Sequence, residues 1–176
     1  GFSKNDKVCI YTGRITEEKG PHLLLEAINL INVNNKIKVK GLFIGDGPKK
    51  YVDKFYKSDN IILLPFMNYK DLNLYYNIAD IGVWPKQEST SQLDALSSGL
   101  PIIINNNSGV KERAYESGLL YIEDSVDDLA NKLTKLFEKK LNEKYSSNAI
   151  NKIKNNYSWH KIAKQFEADY IDFLEK

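Results

Sequence analysis

Residues 79–104 read ADIGVWPKQESTSQLDALSSGLPIII. An apolar run ends at Trp84-Pro85. A polar tract and a stretch with helical spacing follow, and after Gly99-Leu100-Pro101 a second apolar run begins. Two short, continuous apolar runs around a helix are the pattern of a parallel strand–helix–strand unit buried on both faces. The polar tract therefore stands where the first strand ends. Glu88, Ser89, Thr90 and Ser91 precede the helix and Asp94 lies in its first turn, a denser polar set than capping alone requires. Free backbone N–H groups at a helix start favour an anion, hydroxyls add donors, and carboxylates accept bonds from sugar hydroxyls.

The same alternation extends in both directions. KVCIYT (7–12) reads as a buried strand, GRITEEKG as a loop, and Pro21 as the start of a helix. KVKGLFI (38–44) is the next strand, GDGPKK a turn, and 49–57 a short helix. A strand at 61–64 closes at Pro65, and Asp71 is expected to cap a helix running to about Ile78. The central unit supplies strand 79–84, helix 91–98 ended by Gly99, and strand 100–104. Beyond it the pattern predicts a helix over 110–117 with Gly118 as its stop, and a short strand LLYI (119–122). Ser125 caps the next helix with Asp128 in the capping-box position. The remainder reads as helical, broken near Asn155-Asn156-Tyr157, with Ser158 capping the last segment. The fold class is α/β: a single Rossmann-like, doubly wound parallel sheet in three α/β/α layers, spanning 1–176 as one domain. In that architecture ligands sit at the carboxyl ends of strands, where strand order switches. TGRITEEKG, IGDGPKK and WPKQESTSQLD all follow strands and belong to that edge.

Composition narrows the function. The chain has 176 residues, 25 Lys+Arg, 23 Asp+Glu and a net charge of +2. No concentrated basic face marks a nucleic-acid partner, and the lysine-rich tract 132–158, interleaved with acids and apolar residues, reads as a solvated helical surface. A single cysteine, Cys9 in VCIY, excludes an internal disulfide and reads as a buried small hydrophobe. The two histidines have no metal-ligand spacing. No signal-like segment and no apolar span of about 18 residues appears, so a cytoplasmic protein is expected. Gly1-Phe2-Ser3 reads as the start of a trimmed or processed chain. Arg14 and Arg113 are the only arginines amid abundant lysine, so each is expected where geometry demands a guanidinium.

Individual signals leave alternatives open. GDGP reads as a phosphate turn or a plain tight turn, and neither a G-x-G-x-x-G nor a Walker A pattern is present. Arg14 and Lys19 bracket a turn leading into a helix and read as a diphosphate clamp or as surface charge. Gly109-Val110-Lys111-Glu112 forms another loop-to-helix entry, with Glu112 and Arg113 expected to pair with neighbours.

Taken in order, these pieces resemble the C-terminal, nucleotide-sugar-binding domain of retaining glycosyltransferases of the GT-B class, family 4, that is, half of a GT-B fold. The likeness rests on Gly13-Arg14 with Lys19-Gly20, Gly45-Asp46-Gly47-Pro48, Leu72 to Asp80, Pro85 to Pro101, Gly109 to Glu112, and Ser158 to Ala163. It implies a nucleoside-diphosphate sugar donor, UDP- or GDP-linked, and no further cofactor or metal. Arg14 and Lys19 match the cationic pair that grips the diphosphate, and Glu88 the acid facing the transferred sugar. Asp94 matches the acid holding the ribose. Gly13, Gly47 and the backbone at Ser89, Thr90 and Ser91 would seat the phosphates, and Phe66 would lie where the base is contacted. The family's paired-acid motif has seven residues between its glutamates, whereas five separate Glu88 from Asp94 and Ser-Thr-Ser replaces its glycine-rich spacer.

The resemblance also implies an acceptor-binding N-terminal domain absent from this chain, with 158–174 as the terminal helix packing toward it. The full-length protein is expected to transfer sugar to a glycan or lipid-linked acceptor in polysaccharide or glycan biosynthesis. Its expected place is cytoplasmic, peripheral at the inner face of the membrane, and the isolated chain is expected to be inactive. A nucleotide-sugar epimerase-like domain and a degenerate, non-catalytic nucleotide-sugar-binding assembly domain are the competing readings.

Overall fold

The computed structural model describes residues 2, 3, 5–34 and 37–174. The expectations placed on Gly1 and on the last two residues of the domain range lie outside the described residues. Six strands form one parallel sheet in the order β3-β2-β1-β4-β5-β6: β1 (Lys7–Thr12), β2 (Val39–Ile44), β3 (Ile61–Leu64), β4 (Ile81–Trp84), β5 (Ile102–Asn105) and β6 (Gly118–Tyr121). The helices are α1 (Pro21–Asn34), α2 (Lys49–Val52), α3 (Tyr69–Ile78), α4 (Ser91–Ser97), α5 (Val126–Leu136), α6 (Lys139–Lys152) and α7 (Trp159–Leu174). α1 packs against α5 on one side of the sheet, and α3 and α6 contact α4 on the other, as right-handed crossovers require. The doubly wound, Rossmann-like reading of the sequence is therefore correct.

The central strands are buried on both faces, which explains their continuous apolar runs: Val8 to Tyr11, Ile81, Val83, Trp84 and Ile102 to Ile104 all lie in the core. The switch in strand order falls between β1 and β4. There Asp80 accepts the Val8 N–H at 2.8 Å and the Lys7 ammonium at 3.4 Å, tying the two strand starts together. At the opposite, carboxyl end of this pair the Trp84 indole N–H donates to the Thr12 carbonyl at 3.0 Å.

Several local expectations change. α3 starts at Tyr69 after Asn68, so Asp71 is a first-turn acid and not the cap; it still complements the helix dipole. The helix expected over 110–117 is a 3-10 turn, Lys111–Arg113, and Gly118 opens β6 instead of stopping a helix. The cause is tertiary. The Lys152 ammonium takes the carbonyls of Glu112 at 2.5 Å, Arg113 at 3.4 Å and Tyr115, and those groups would otherwise serve a continuing helix. Ser125 does cap α5, accepting the Asp128 N–H at 3.2 Å. Asp128 turns instead to the Ile122 N–H at 2.7 Å, so the capping box is only half formed. The break near Tyr157 is a π-helical turn, Ile153–Tyr157, and Ser158 follows it, accepting the Lys161 N–H at 3.4 Å.

Candidate functional site

Two loops leave the sheet side by side. Gly13 N–H donates to the Ile44 carbonyl at 3.0 Å and Ile15 N–H to the Asp46 carbonyl at 2.9 Å, prolonging the β1–β2 pairing past the strand ends. Contact this close excludes side chains. A Cβ on Gly45, whose φ is +149°, or on Gly47 would stand 2.0 Å from the carbonyl oxygens of Gly13 and Ile15 respectively. The buried Tyr11 hydroxyl donates to the Arg14 carbonyl at 2.7 Å and so sets the first turn; burial raises its pKa and keeps it a neutral donor.

A cleft of about 290 Å³ opens over these turns. Thr12, Gly13, Gly45 and Asp46 contribute to it, with Phe66-Met67 from the end of β3 and Ser91 from the start of α4. Phe66 is 71% exposed, an aromatic face offered to whatever enters. Its N–H donates to Asp46 Oδ2 at 3.2 Å. Thr12 and Tyr76 share a hydrogen bond at 2.9 Å, and Ser91 also reaches the Tyr76 hydroxyl. The Arg14 guanidinium is exposed and bonds to no described residue.

A second cleft of about 400 Å³ contains Lys19, Lys86, Glu88, Asn107 and Gly109. Lys19 Nζ donates to the Glu88 carbonyl at 3.1 Å. The Glu88 carboxylate lies so close to Gly109 that a Cβ there would be 2.6 Å from Oε1. Lys86 pairs with Asp124 at 2.9 Å. The strand end beneath is held by a buried polar network: Asn105, 1% exposed, donates to the Pro85 and Lys86 carbonyls at 3.0 and 2.5 Å, and Tyr121 donates to Pro85 at 2.7 Å.

Residues 88–91 run from the second cleft to the first. The N–H groups of Ser91, Gln92 and Leu93 are taken within the turn, by Ser89 Oγ at 3.3 Å, the Ser89 carbonyl at 3.2 Å and the Thr90 carbonyl at 2.8 Å. The N–H groups of Ser89 and Thr90 donate to no described residue. Asp94 follows Ser91 by one helical turn and so shares its side of α4. Its carboxylate bonds to no described residue, and desolvation raises its pKa.

Of the sequence-derived residues, Gly13, Arg14, Phe66 and Ser91 meet at the first cleft and Lys19 and Glu88 at the second. Ser89 and Thr90 connect the two, and Asp94 stands beside the first. Gly47 lines neither cleft; its role is the packing of the two loops, and Gly45 takes its place at the cleft. Sequence reasoning missed Asn105, Tyr121, Gln92 and the action of Arg113. Asn105 ends an isoleucine run at a position buried like its predecessors, which is the signal that could have found it. Among the described residues no three His, Cys, Asp or Glu side chains gather as metal ligands. No described helix is long and apolar enough to cross a membrane.

The arrangement is a pair of adjoining clefts with an aromatic wall, free backbone donors, an unpaired guanidinium and an unpaired carboxylate. Known proteins resemble this chain in sequence and in fold. The family description "Glycosyl transferases group 1" matches residues 1–154. The chain is 27% identical over 187 residues to the UDP-Gal:alpha-D-GlcNAc-diphosphoundecaprenol alpha-1,3-galactosyltransferase of Escherichia coli, covering 99% of this chain and 48% of that protein. It is 25% identical to spore coat protein SA of Bacillus subtilis, covering 93% of this chain and 48% of that protein. The structure of Alr3699/HepE from Anabaena in complex with UDP superposes with a TM-score of 0.83 at 18% identity, covering 96% of this chain and 49% of that one. The chain thus spans about half the length of the curated relatives it matches. By the match over most of its length, this chain belongs to the group 1 glycosyl transferases and has the form of half of a GT-B fold.

Proposed function

We propose that this chain is the donor-binding half of a retaining glycosyltransferase that takes sugar from a UDP- or GDP-sugar. The observation carrying this reading is residues 88–91 joining two clefts at the carboxyl edge of the sheet, with Arg14 unpaired at one and Glu88 at the other. The base enters the first cleft against Phe66 and Met67. Asp94 accepts the ribose hydroxyls, and Arg14 with Lys19 and the free N–H groups of Ser89 and Thr90 hold the diphosphate. Glu88 faces the transferred sugar in the second cleft. As the donor bond breaks, negative charge grows on the leaving diphosphate. Fixed cations and N–H groups stabilise that charge without reorganising, which is where this domain contributes to the rate.

The acceptor, the opposite wall of the donor cleft and the remaining catalytic groups belong to a second domain, and the amphipathic α7 is the element that reaches it. Its Trp159, Phe166, Tyr170 and Phe173 are 87, 61, 69 and 77% exposed here. Transfer then requires the full-length protein, and this chain alone binds donor without turning it over.

Calorimetric titration of UDP and GDP into this chain tests the reading. One of the two should bind, and Arg14→Ala with Lys19→Ala should weaken it by ~10–100-fold, the effect of losing charge-assisted hydrogen bonds. Unchanged affinity in a folded double variant would reject the assigned roles.

A further inference from the structure

Two cations hold consecutive carbonyls of the Glu88–Thr90 backbone. Lys19 Nζ donates to the Glu88 carbonyl at 3.1 Å. An Arg113 terminal nitrogen donates to the next carbonyl, that of Ser89, at 3.1 Å, and to Gln92 Oε1 at 2.9 Å. Gln92 is 1% exposed and accepts nothing else from a described side chain. In a trans peptide the N–H points opposite to the C=O. Fixing the two carbonyls therefore fixes the N–H groups of Ser89 and Thr90, each directed opposite to the carbonyl of its own peptide, and these are the two that donate to no described residue. A charge-assisted bond on a carbonyl also polarises its own peptide and strengthens the N–H at its far end.

Arg113 is itself braced. Lys152 holds the carbonyls on both sides of it, and Tyr157, on the π-helical turn leading to α7, donates to Glu112 at 3.2 Å and interacts with the Arg113 guanidinium. Arg113 Nε is buried with no partner among the described residues.

We propose that Arg113 is a positioning residue of the donor turn, which aims the Thr90 N–H at the diphosphate by gripping the Ser89 carbonyl from behind. The proposal rests on the donor-site reading above. It accounts for how a turn shortened between Glu88 and Asp94, with Ser-Thr-Ser in place of glycines, keeps the Thr90 N–H in one direction. It also accounts for an arginine in a lysine-rich chain: one terminal nitrogen, fixed in the plane of a rigid guanidinium, donates to Ser89 and Gln92 together, whereas an ammonium on a flexible stem is not held in that direction.

The test is the amide NMR spectrum of this chain as wild type, Arg113→Lys and Arg113→Ala, without ligand and with UDP, together with NMR titration of UDP and of uridine. In the wild type the Ser89 and Thr90 amides should shift on adding UDP and stay in place on adding uridine, which lacks the diphosphate. In Arg113→Lys without ligand, shift changes should be confined to about residues 88–92 and 113. UDP affinity should fall about tenfold in both variants, with uridine binding unchanged and no rescue by lysine. A Thr90 amide unmoved in the wild type by whichever of UDP and GDP binds (guanosine replacing uridine as the control for GDP), or wild-type affinity for that diphosphate in Arg113→Lys, overturns the proposal; neither arm depends on Arg113→Ala folding. If the wild type binds neither UDP nor GDP, the donor reading falls. The ligand-free spectra then judge the grip alone, and unchanged 88–92 amides in Arg113→Lys reject it.

Discussion

Asp94 carries a cost to the fold that the proposed ribose contact would explain. Its carboxyl is desolvated and has no hydrogen-bond partner among the described residues. The folded-state pKa is raised, so between the unfolded and folded values the native state binds more protons than the unfolded chain, and stability falls as pH rises through that window. Above the window the penalty is fully present. Asp94→Asn should therefore melt slightly higher than the wild type at neutral pH, by on the order of 1 °C, with the difference vanishing in acid below the carboxylate range. If Asp94 holds the ribose, the same variant should bind the nucleotide about tenfold more weakly; melting curves at two pH values and one titration check both halves. The positions of Phe66 just past β3 and of Asp94 in the first turn of α4 were legible in the sequence because each sits at a fixed offset from an element end. The actions of Asn105 and Arg113 were not, since their partners lie 19 to 24 residues away along the chain and only folding brings them within reach.

Loops, more than strands, decide the elements around the site. The β1 and β2 loops pack backbone to backbone at Gly45 and Gly47. Gly45→Ala combines a strained φ with a backbone clash and should cost about 2 kcal/mol or more, read as a lower denaturant midpoint together with loss of nucleotide binding. Ser125→Ala removes the one side-chain cap of α5, costs about 1 kcal/mol and should leave binding intact, because neither Ser125 nor any α5 residue lines either cleft. The expected helix at 110–117 failed for a reason of the same kind. Helical periodicity is present there, but Lys152 from α6 competes for the carbonyls and the segment closes as a 3-10 turn. Competition of that sort belongs to tertiary structure and leaves no trace in the local pattern.

At the scale of the whole molecule, α7 stands apart from the core. All its side chains but Ile162 are exposed, and it buries none. Ending the chain at Ser158 should accordingly shift Tm by no more than about 2 °C, whereas protease should cut within 159–174 before any other helix; a large loss of stability would show that α7 holds the fold together. The α/β class, the alternation of elements and the carboxyl-edge placement of the polar tracts were determined by the sequence by itself. Apolar runs buried on both faces admit few alternatives to a parallel sheet, and chain order then places every strand-to-helix loop at one end. Only the tertiary structure decided strand order, the division of the site into two clefts, and the grip of Lys19 and Arg113 on consecutive carbonyls. Those depend on contacts between segments far apart in the chain, whose geometry is set by packing and by buried polar groups finding their partners.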